Sequence, residues 1–233
     1  MMKEKIGAII VGAGSGNRMH GVDKIFTNVL NRPVLAYSLD VMANFRKIDD
    51  LVLVLAKDNL KYGKKLLDSE LKWPSDWKIK EGGPRRRDSV LIGIQALGNV
   101  DWVIIHDAAR PCLTVDLLDN VIEAAKEVGA AITVGSAIDT VKKIDSMNGV
   151  TETLDREFLV LAQTPQVFRM DLLRSAYRKI NDDEVFTDEA TLFEIFLNKV
   201  KVVRNIKLNP KITYPEDLWL VESIIKNRIQ GKN

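Results

Sequence analysis

Apolar residues gather along the chain in short runs, and between the runs they recur at helical spacing. Ile6 to Val11, Leu51 to Ala56, Trp102 to Ile105, Ala130 to Gly135 and Val200 to Val203 are such runs, built mainly of aliphatic residues. A run that is apolar at odd and even positions alike predicts a strand covered on both faces, as in a parallel sheet. Pro33 precedes the helical set Leu35, Leu39 and Met42, and Asp88 or Ser89 precedes Val90 and Ile94. Thr114, an acidic first turn and the set Leu117, Leu118, Val121 and Ile122 predict an amphipathic helix to about Val128. Thr187 with Asp188 and Glu189 opens another helix, and Pro215 with Glu216 and Asp217 opens the last. Strand alternating with helix predicts the α/β class, with helices on both faces of a parallel sheet.

One stretch departs from that rhythm. Between Asp139 and Phe168 the residues Val141, Ile144, Val150, Leu154 and Leu159 alternate around a turn at Asn148 and Gly149, which predicts a β-hairpin. The segment 137–168 is therefore read as an arm within a single domain, 1–233.

Composition narrows the function. A chain of 233 residues, 46% hydrophobic, can bury one sizeable core. With 34 basic and 32 acidic residues the formal charge is +2, so no global field attracts nucleic acid and any polyanion site is local. Cys112 is the only cysteine, which excludes an intrachain disulfide and a metal–thiolate cluster and suits a reducing cytoplasm. No apolar stretch approaches the length of a membrane span, so no membrane partner is expected.

Candidate chemistry lies just beyond the apolar runs. After the first comes Gly12-Ala13-Gly14-Ser15-Gly16-Asn17-Arg18, with Lys24 following. Glycines let backbone amides approach phosphate oxygens, and Arg18 and Lys24 supply compensating charge for a triphosphate; a bare loop with two solvated cations is the alternative. No Gly-Lys-Ser/Thr follows, which excludes a Walker loop. A dinucleotide site would need a helix directly after the glycines and an acidic end to the second strand, which instead closes on Ala56-Lys57-Asp58.

Glu81 to Ser89 joins a strand to a helix at the edge where open parallel sheets bind ligands. Gly82 and Gly83 permit a base to lie against the backbone, Arg86 can hold phosphate, and Ser89 can bond a base or cap the helix. As a charge run, Arg85-Arg86-Arg87 also reads as a solvated patch. His106 to Cys112 follows the strand at Trp102, which presents Asp107 at a carboxyl strand end. One carboxylate with triphosphate oxygens suffices for magnesium, which keeps most of its waters. His106 reads as a packed, hydrogen-bonded histidine, and Cys112 as a core residue rather than a nucleophile.

These segments, in this order, resemble the 2-C-methyl-D-erythritol 4-phosphate cytidylyltransferase family. Asp139-Thr140, Asp155-Arg156, Thr164-Pro165-Gln166, Thr187-Asp188-Glu189 and Lys211-Ile212-Thr213 extend the resemblance over nearly the whole chain. Val11-Gly12, Pro84-Arg85 and Leu208-Asn209-Pro210 differ from the usual family pattern. The resemblance implies a Rossmann-like three-layer α/β/α fold on a mostly parallel twisted sheet, and a homodimer interlocked by the arm. It also implies transfer of a cytidylyl group from CTP to a polyol phosphate in non-mevalonate isoprenoid precursor synthesis. By the same resemblance Arg18 and Lys24 would stabilise the transition state, Asp107 would bind Mg2+, and Gly12, Ala13, Gly82 and Ser89 would hold cytosine. Arg156 and Lys211 would position the substrate phosphate, and Arg110, Thr140 and Thr164 would complete the polyol pocket, with Thr140 and Arg156 reaching the partner's site. Ribitol 5-phosphate as acceptor, or a non-catalytic nucleotide-binding role, are the competing readings.

Overall fold

A computed structural model describes residues 3–14, 23–70, 77–181, 184–197 and 199–231. In chain order the elements are β1 (Ile6–Gly12), the short β2 (Asn28–Val29) and β3 (Arg32–Pro33), α1 (Val34–Asn44), β4 (Ile48–Leu55), α2 (Leu60–Glu70), β5 (Lys78–Glu81), α3 (Arg86–Ala96) and β6 (Trp102–Asp107). There follow α4 (Val115–Val128), β7 (Ala130–Ser136), β8 (Val141–Ile144), β9 (Val150–Leu154), β10 (Val160–Arg169), α5 (Met170–Tyr177), α6 (Ala190–Leu197), β11 (Lys201–Arg204) and α7 (Asp217–Ile229).

The five apolar runs, joined by β5 and β10, form a seven-stranded sheet in the order β11-β7-β10-β6-β1-β4-β5, with β11 at an edge and its Val202 exposed rather than covered. Its pairings are parallel except those of β10, which runs antiparallel between β6 and β7. The double-sided apolar pattern has a direct cause. Ala8 and Ile10 of β1 face a layer containing Leu35, Leu39, Leu118 and Val121 from α1 and α4. Ile9, between them, faces Val90 and Ile94 of α3 and Phe193 of α6. Fully burying such an aliphatic side chain is worth about 1.5–3 kcal/mol, so both layers hold the sheet. The result is the Rossmann-like α/β/α arrangement. Among the described residues no helix is long and apolar enough to cross a membrane.

Helix boundaries follow the capping chemistry with some shifts. Thr114 caps α4 by accepting from Leu117 N at 3.2 Å, and Gly129 ends it in the left-handed region at φ 97°. By contrast α3 begins at Arg86, and Asp88 lies inside its first turn, bonded back to Arg85 N at 3.1 Å. The helix expected from Thr187 begins at Ala190, because Asp188 is spent as a cap on Thr191 N at 3.3 Å and Oγ1 at 3.1 Å.

The hairpin forms as β8 and β9, with Asn148 at φ 64° and the Asp145 carboxylate accepting from Met147 N and Gly149 N at 2.9 and 2.8 Å. The segment 137–168 is not all arm, however. Val160–Arg169 is a strand of the main sheet, with Val167 and Phe168 fully buried. The alternation that marks the hairpin ends at Leu159, and the next residues join the main sheet, where Gln166 to Arg169 pair with β6.

Candidate active site

Four parallel strands end level with one another. Gly12 is in register with Leu55, Leu55 with Glu81, and Val11 with Asp107, so the loops after β1, β4, β5 and β6 open on one edge. The chain leaves β5 on one side of β1 and returns as β6 on the other, and such a switch point is where open α/β sheets bind ligands. A cleft of about 700 Å³ lies there, lined by Gly12 to Gly14, Lys24, Gly83 to Arg86, Ser89, Asp107 and Lys211.

One wall is made by two glycine loops pressed together. A Cβ on Gly82 would fall 2.3 Å from Ala13 Cβ and 2.8 Å from Ser89 Oγ, so side-chain-free backbone is needed for the loops to meet. Ser89 is buried and stitches the turn, accepting from Gly83 N at 3.2 Å and donating to Arg85 O at 3.2 Å. Lys24 reaches the cleft from a segment held by Asp23, whose carboxylate accepts from Ile25 N at 3.1 Å and from the Asn59 amide. Gly16 and Arg18 lie outside the described residues.

The three consecutive arginines are not a solvated patch. Arg85 pairs with Asp88 at 2.8 Å, and Arg87 is buried, donating to Asn181 O at 3.1 Å and Glu184 O at 2.6 Å. Arg86 turns toward the cleft, donating to Glu189 at 2.7 and 3.0 Å and lying 3.4 Å from Asp107 Oδ1. Burial pushes the Glu189 carboxyl up, and the guanidinium, which stays charged, pulls it back.

Asp107 is the convergence point. Lys211 Nζ donates to its Oδ2 at 2.7 Å, Arg86 approaches Oδ1, and Arg110 Nε lies 3.8 Å from Oδ2. Burial alone would raise its carboxyl, but Arg86 and Lys211 hold it well below the usual carboxylate range. Behind it runs a buried chain of polar groups. Asp107 N donates to Thr164 Oγ1 at 3.0 Å, the Thr164 hydroxyl lies 3.1 Å from His106 Nδ1, and His106 Nε2 lies 3.1 Å from Arg110 O. One arrangement satisfies all three contacts: a neutral imidazole with its proton on Nε2, donating to Arg110 O and accepting from Thr164. Burial lowers the His106 pKa to about 4 in agreement. Asn209 closes the chain, donating to Thr164 O at 2.8 Å and accepting Arg110 Nη1 at 2.7 Å on its own carbonyl.

The expected site residues therefore separate into groups. Gly12, Ala13, Gly14, Lys24, Gly83, Arg86, Ser89, Asp107 and Lys211 line one cleft, and Gly82 packs behind it. Thr164 and Arg110 are buried beside it, with the Thr164 hydroxyl turned to His106 and Asp107. Thr140 and Arg156 stand on the arm, exposed, away from the cleft of their own chain; Arg156 donates to Ile138 O at 2.5 Å. The sequence does not point to Glu189 and Asn209 as site residues, because nothing in their spacing says that a helix-start acid and a loop amide turn inward. Cys112 sits among Val34, Ile212 and Val221, and burial pushes its thiol up to about 11, which removes it as a nucleophile.

A Rossmann-like sheet with glycine loops, converging cations and one ionised carboxylate at its carboxyl edge defines the nucleotidyltransferase class. The family model described as IspD, 2-C-methyl-D-erythritol 4-phosphate cytidylyltransferase, matches residues 6–227. The chain belongs to that family and is an enzyme. It is 41% identical over 225 residues to the 2-C-methyl-D-erythritol 4-phosphate cytidylyltransferase of Dehalococcoides mccartyi strain CBDB1, covering 97% of this chain and 98% of that one. The enzyme of the same name from Alkaliphilus metalliredigens is 36% identical over 231 residues, covering 98% and 96%. Among solved structures, the 4-diphosphocytidyl-2C-methyl-D-erythritol synthase of Anaerococcus prevotii superposes with a TM-score of 0.86 at 32% identity, covering 96% and 97%. The cytidylyltransferase of Thermus thermophilus gives 0.74 at 28%, covering 95% and 99%.

Proposed function

We propose that the chain transfers a cytidylyl group from CTP to 2-C-methyl-D-erythritol 4-phosphate, releasing pyrophosphate. The observation that carries this reading is the ionised Asp107, ringed by Arg86, Lys211 and Arg110 and facing the Gly12 to Gly14 loop across one cleft. Gly82, Gly83 and Ser89 hold the base against backbone, while Lys24, Arg86 and Arg18 take the phosphates. Lys211 meets the acceptor phosphate, Arg110 and Thr164 shape the polyol end of the pocket, and Thr164 acts by positioning Asp107.

A phosphate monoester with a second pKa of about 6 is largely dianionic at neutral pH, so the nucleophile needs no base. A buried, neutral His106 that spends both ring nitrogens on neighbours suits that chemistry. Attack falls on the α phosphorus in line with the leaving pyrophosphate. The protein contributes positioning and charge stabilisation through Lys24 and Arg18.

Asp107 also suits magnesium, being a hard, ionised oxygen donor in the cleft. Among the described residues no group of three or more His, Cys, Asp or Glu side chains converges, which fits an ion that takes its other ligands from triphosphate and water. When bound, Mg2+ would neutralise charge on the triphosphate. The arm, with Thr140 and Arg156 exposed on it, supports a homodimer in which those two residues serve the partner's site. The single, buried Cys112 supports a cytoplasmic setting.

Pyrophosphate release from CTP, measured with 2-C-methyl-D-erythritol 4-phosphate and with ribitol 5-phosphate in parallel, tests the reading. Turnover with the erythritol compound is expected. Turnover with ribitol phosphate alone, or with neither, overturns it.

A further inference from the structure

Glu189 is fully buried just before α6, yet it neither lines the cleft nor belongs to an ordinary cap. Its oxygens accept from Arg86 Nη1 at 3.0 and 2.7 Å, and the Tyr177 hydroxyl donates to Oε1 at 3.2 Å. Tyr177 comes from α5 and Arg86 from the first turn of α3, so three elements meet on one carboxylate. Arg86 is the member that reaches the cleft, where Nε lies 3.4 Å from Asp107 Oδ1. One guanidinium is thus gripped on different edges by two carboxylates.

The two contacts are unequal. The short pair to Glu189 involves a carboxylate with no solvent exposure, whereas the longer one to Asp107 lies at the cleft. A buried carboxylate is unfavourable unless paired, so an apolar residue would fill the space with less penalty. What the charge adds is direction. It pins the Nη1 end of the guanidinium, so that Arg86 presents its Nε side to the cleft beside Asp107. A lysine in place of Arg86 could not answer this geometry, since an ammonium has no planar fork.

We propose that Glu189, steadied by Tyr177, is a positioning residue that sets the Arg86 guanidinium for the triphosphate of CTP. This rests on the CTP reading of the cleft. It makes Glu189 a determinant of nucleotide use and leaves acceptor binding to other residues.

The test is a cycle of wild type, Glu189→Gln, Arg86→Lys and the double variant, assayed with both substrates varied, alongside calorimetric titration of CTP with Mg2+. Gln matches Glu in shape, and Lys keeps the buried charge paired, so these variants are chosen to fold; circular dichroism and thermal unfolding verify it. In the wild-type background Glu189→Gln is expected to lower kcat/KM for CTP by about 10²-fold, the scale of a misplaced positioning group, with KM for the polyol phosphate unchanged. In the Arg86→Lys background the same change should cost less than about threefold, because the effect is transmitted through the guanidinium. Tyr177→Phe should lower the same CTP parameter more mildly. Equal losses in both backgrounds, or parallel losses for both substrates with a lowered unfolding midpoint, overturn the assignment in favour of a purely structural role. If wild type binds no CTP, the reading of the cleft fails, and the assignment falls with it.

Discussion

Lys211 Nζ donates to Asp107 Oδ2 at 2.7 Å, so the lysine assigned to the acceptor phosphate and the carboxylate assigned to the metal engage one another. Both assignments hold only if this pair opens as the substrates enter. The exchange would balance: a metal ion would take the place of one cation at Asp107, and the released ammonium would gain a phosphate dianion. Removing the lysine should then separate the two functions. Lys211→Met is expected to raise KM for the polyol phosphate at least tenfold while tightening Mn2+ binding in the presence of CTP. A hydrogen bond to a charged group is worth about 1.5–3 kcal/mol, which sets the gain at roughly tenfold or more. Titration of Mn2+ by electron paramagnetic resonance measures it, and weaker metal binding in the variant would refute the exchange.

The contact between the two glycine loops gives a second expectation. A methyl group on Gly82 would have to displace Ala13 Cβ, 2.3 Å away, and Ser89 Oγ, 2.8 Å away, in a wall with little room to yield. Overpacking of this kind typically costs about 1–3 kcal/mol. Because Ala13 belongs to the cleft, the strain should appear in nucleotide binding. Gly82→Ala is expected to raise the dissociation constant for CTP by about tenfold or more. A variant that folds normally and binds CTP as wild type does would remove this wall from the site.

His106 gives the fold a calculable pH dependence. Its pKa is depressed by burial to about 4 from an ordinary 6.5, so between those values the unfolded chain takes up a proton that the folded chain refuses. Stability from this group is therefore complete above about pH 6.5 and declines as pH falls toward 4. At 1.36 kcal/mol per unit the full loss is about 3 kcal/mol. Asp107, whose carboxyl is also held low, adds a loss only below the ordinary carboxylate range, near pH 4 and under. Urea denaturation from pH 7.5 to 4.5 should show the slope in wild type and a flatter one in His106→Gln.

Much of this architecture was legible in the chain, and the parts that were not share a cause. The double-sided apolar runs of β1, β4, β6 and β7, Thr114 as a cap and the turn at Asn148-Gly149 all follow from local rules, and the structure keeps them. The cleft-lining residues could be read because glycines and cations at strand ends carry their chemistry in their identity. What stayed hidden depends on distant partners. Val160 to Arg169 follows the hairpin directly in the chain, but its neighbours are β6 and β7, a choice made by burial of Val167 and Phe168. Arg85, Arg86 and Arg87 are identical in sequence terms and take three directions, because Asp88, Glu189 and the carbonyls of Asn181 and Glu184 lie on different sides. Thr164 could be named as a site residue, but the His106 and Asp107 contacts that occupy its hydroxyl are separated from it by more than fifty positions.

The arm offers the last prediction. Thr140 and Arg156 are exposed on a hairpin that does not line the cleft of its own chain, although Arg156 is expected to position the substrate phosphate and Thr140 to complete the polyol pocket. A symmetric dimer resolves this by letting each arm complete the other subunit's site. The arrangement is testable by mixing two inactive proteins. In a heterodimer of Arg156→Ala and Lys24→Ala chains, the Arg156→Ala chain keeps its own Lys24 and receives Arg156 from its partner, so one site is whole. The other site lacks both groups. Co-refolded at equal amounts, the two should therefore recover about a quarter of wild-type turnover, since half the dimers are mixed and half of their sites are intact. If each arginine served its own chain, every site would lack one group and the mixture would stay inactive.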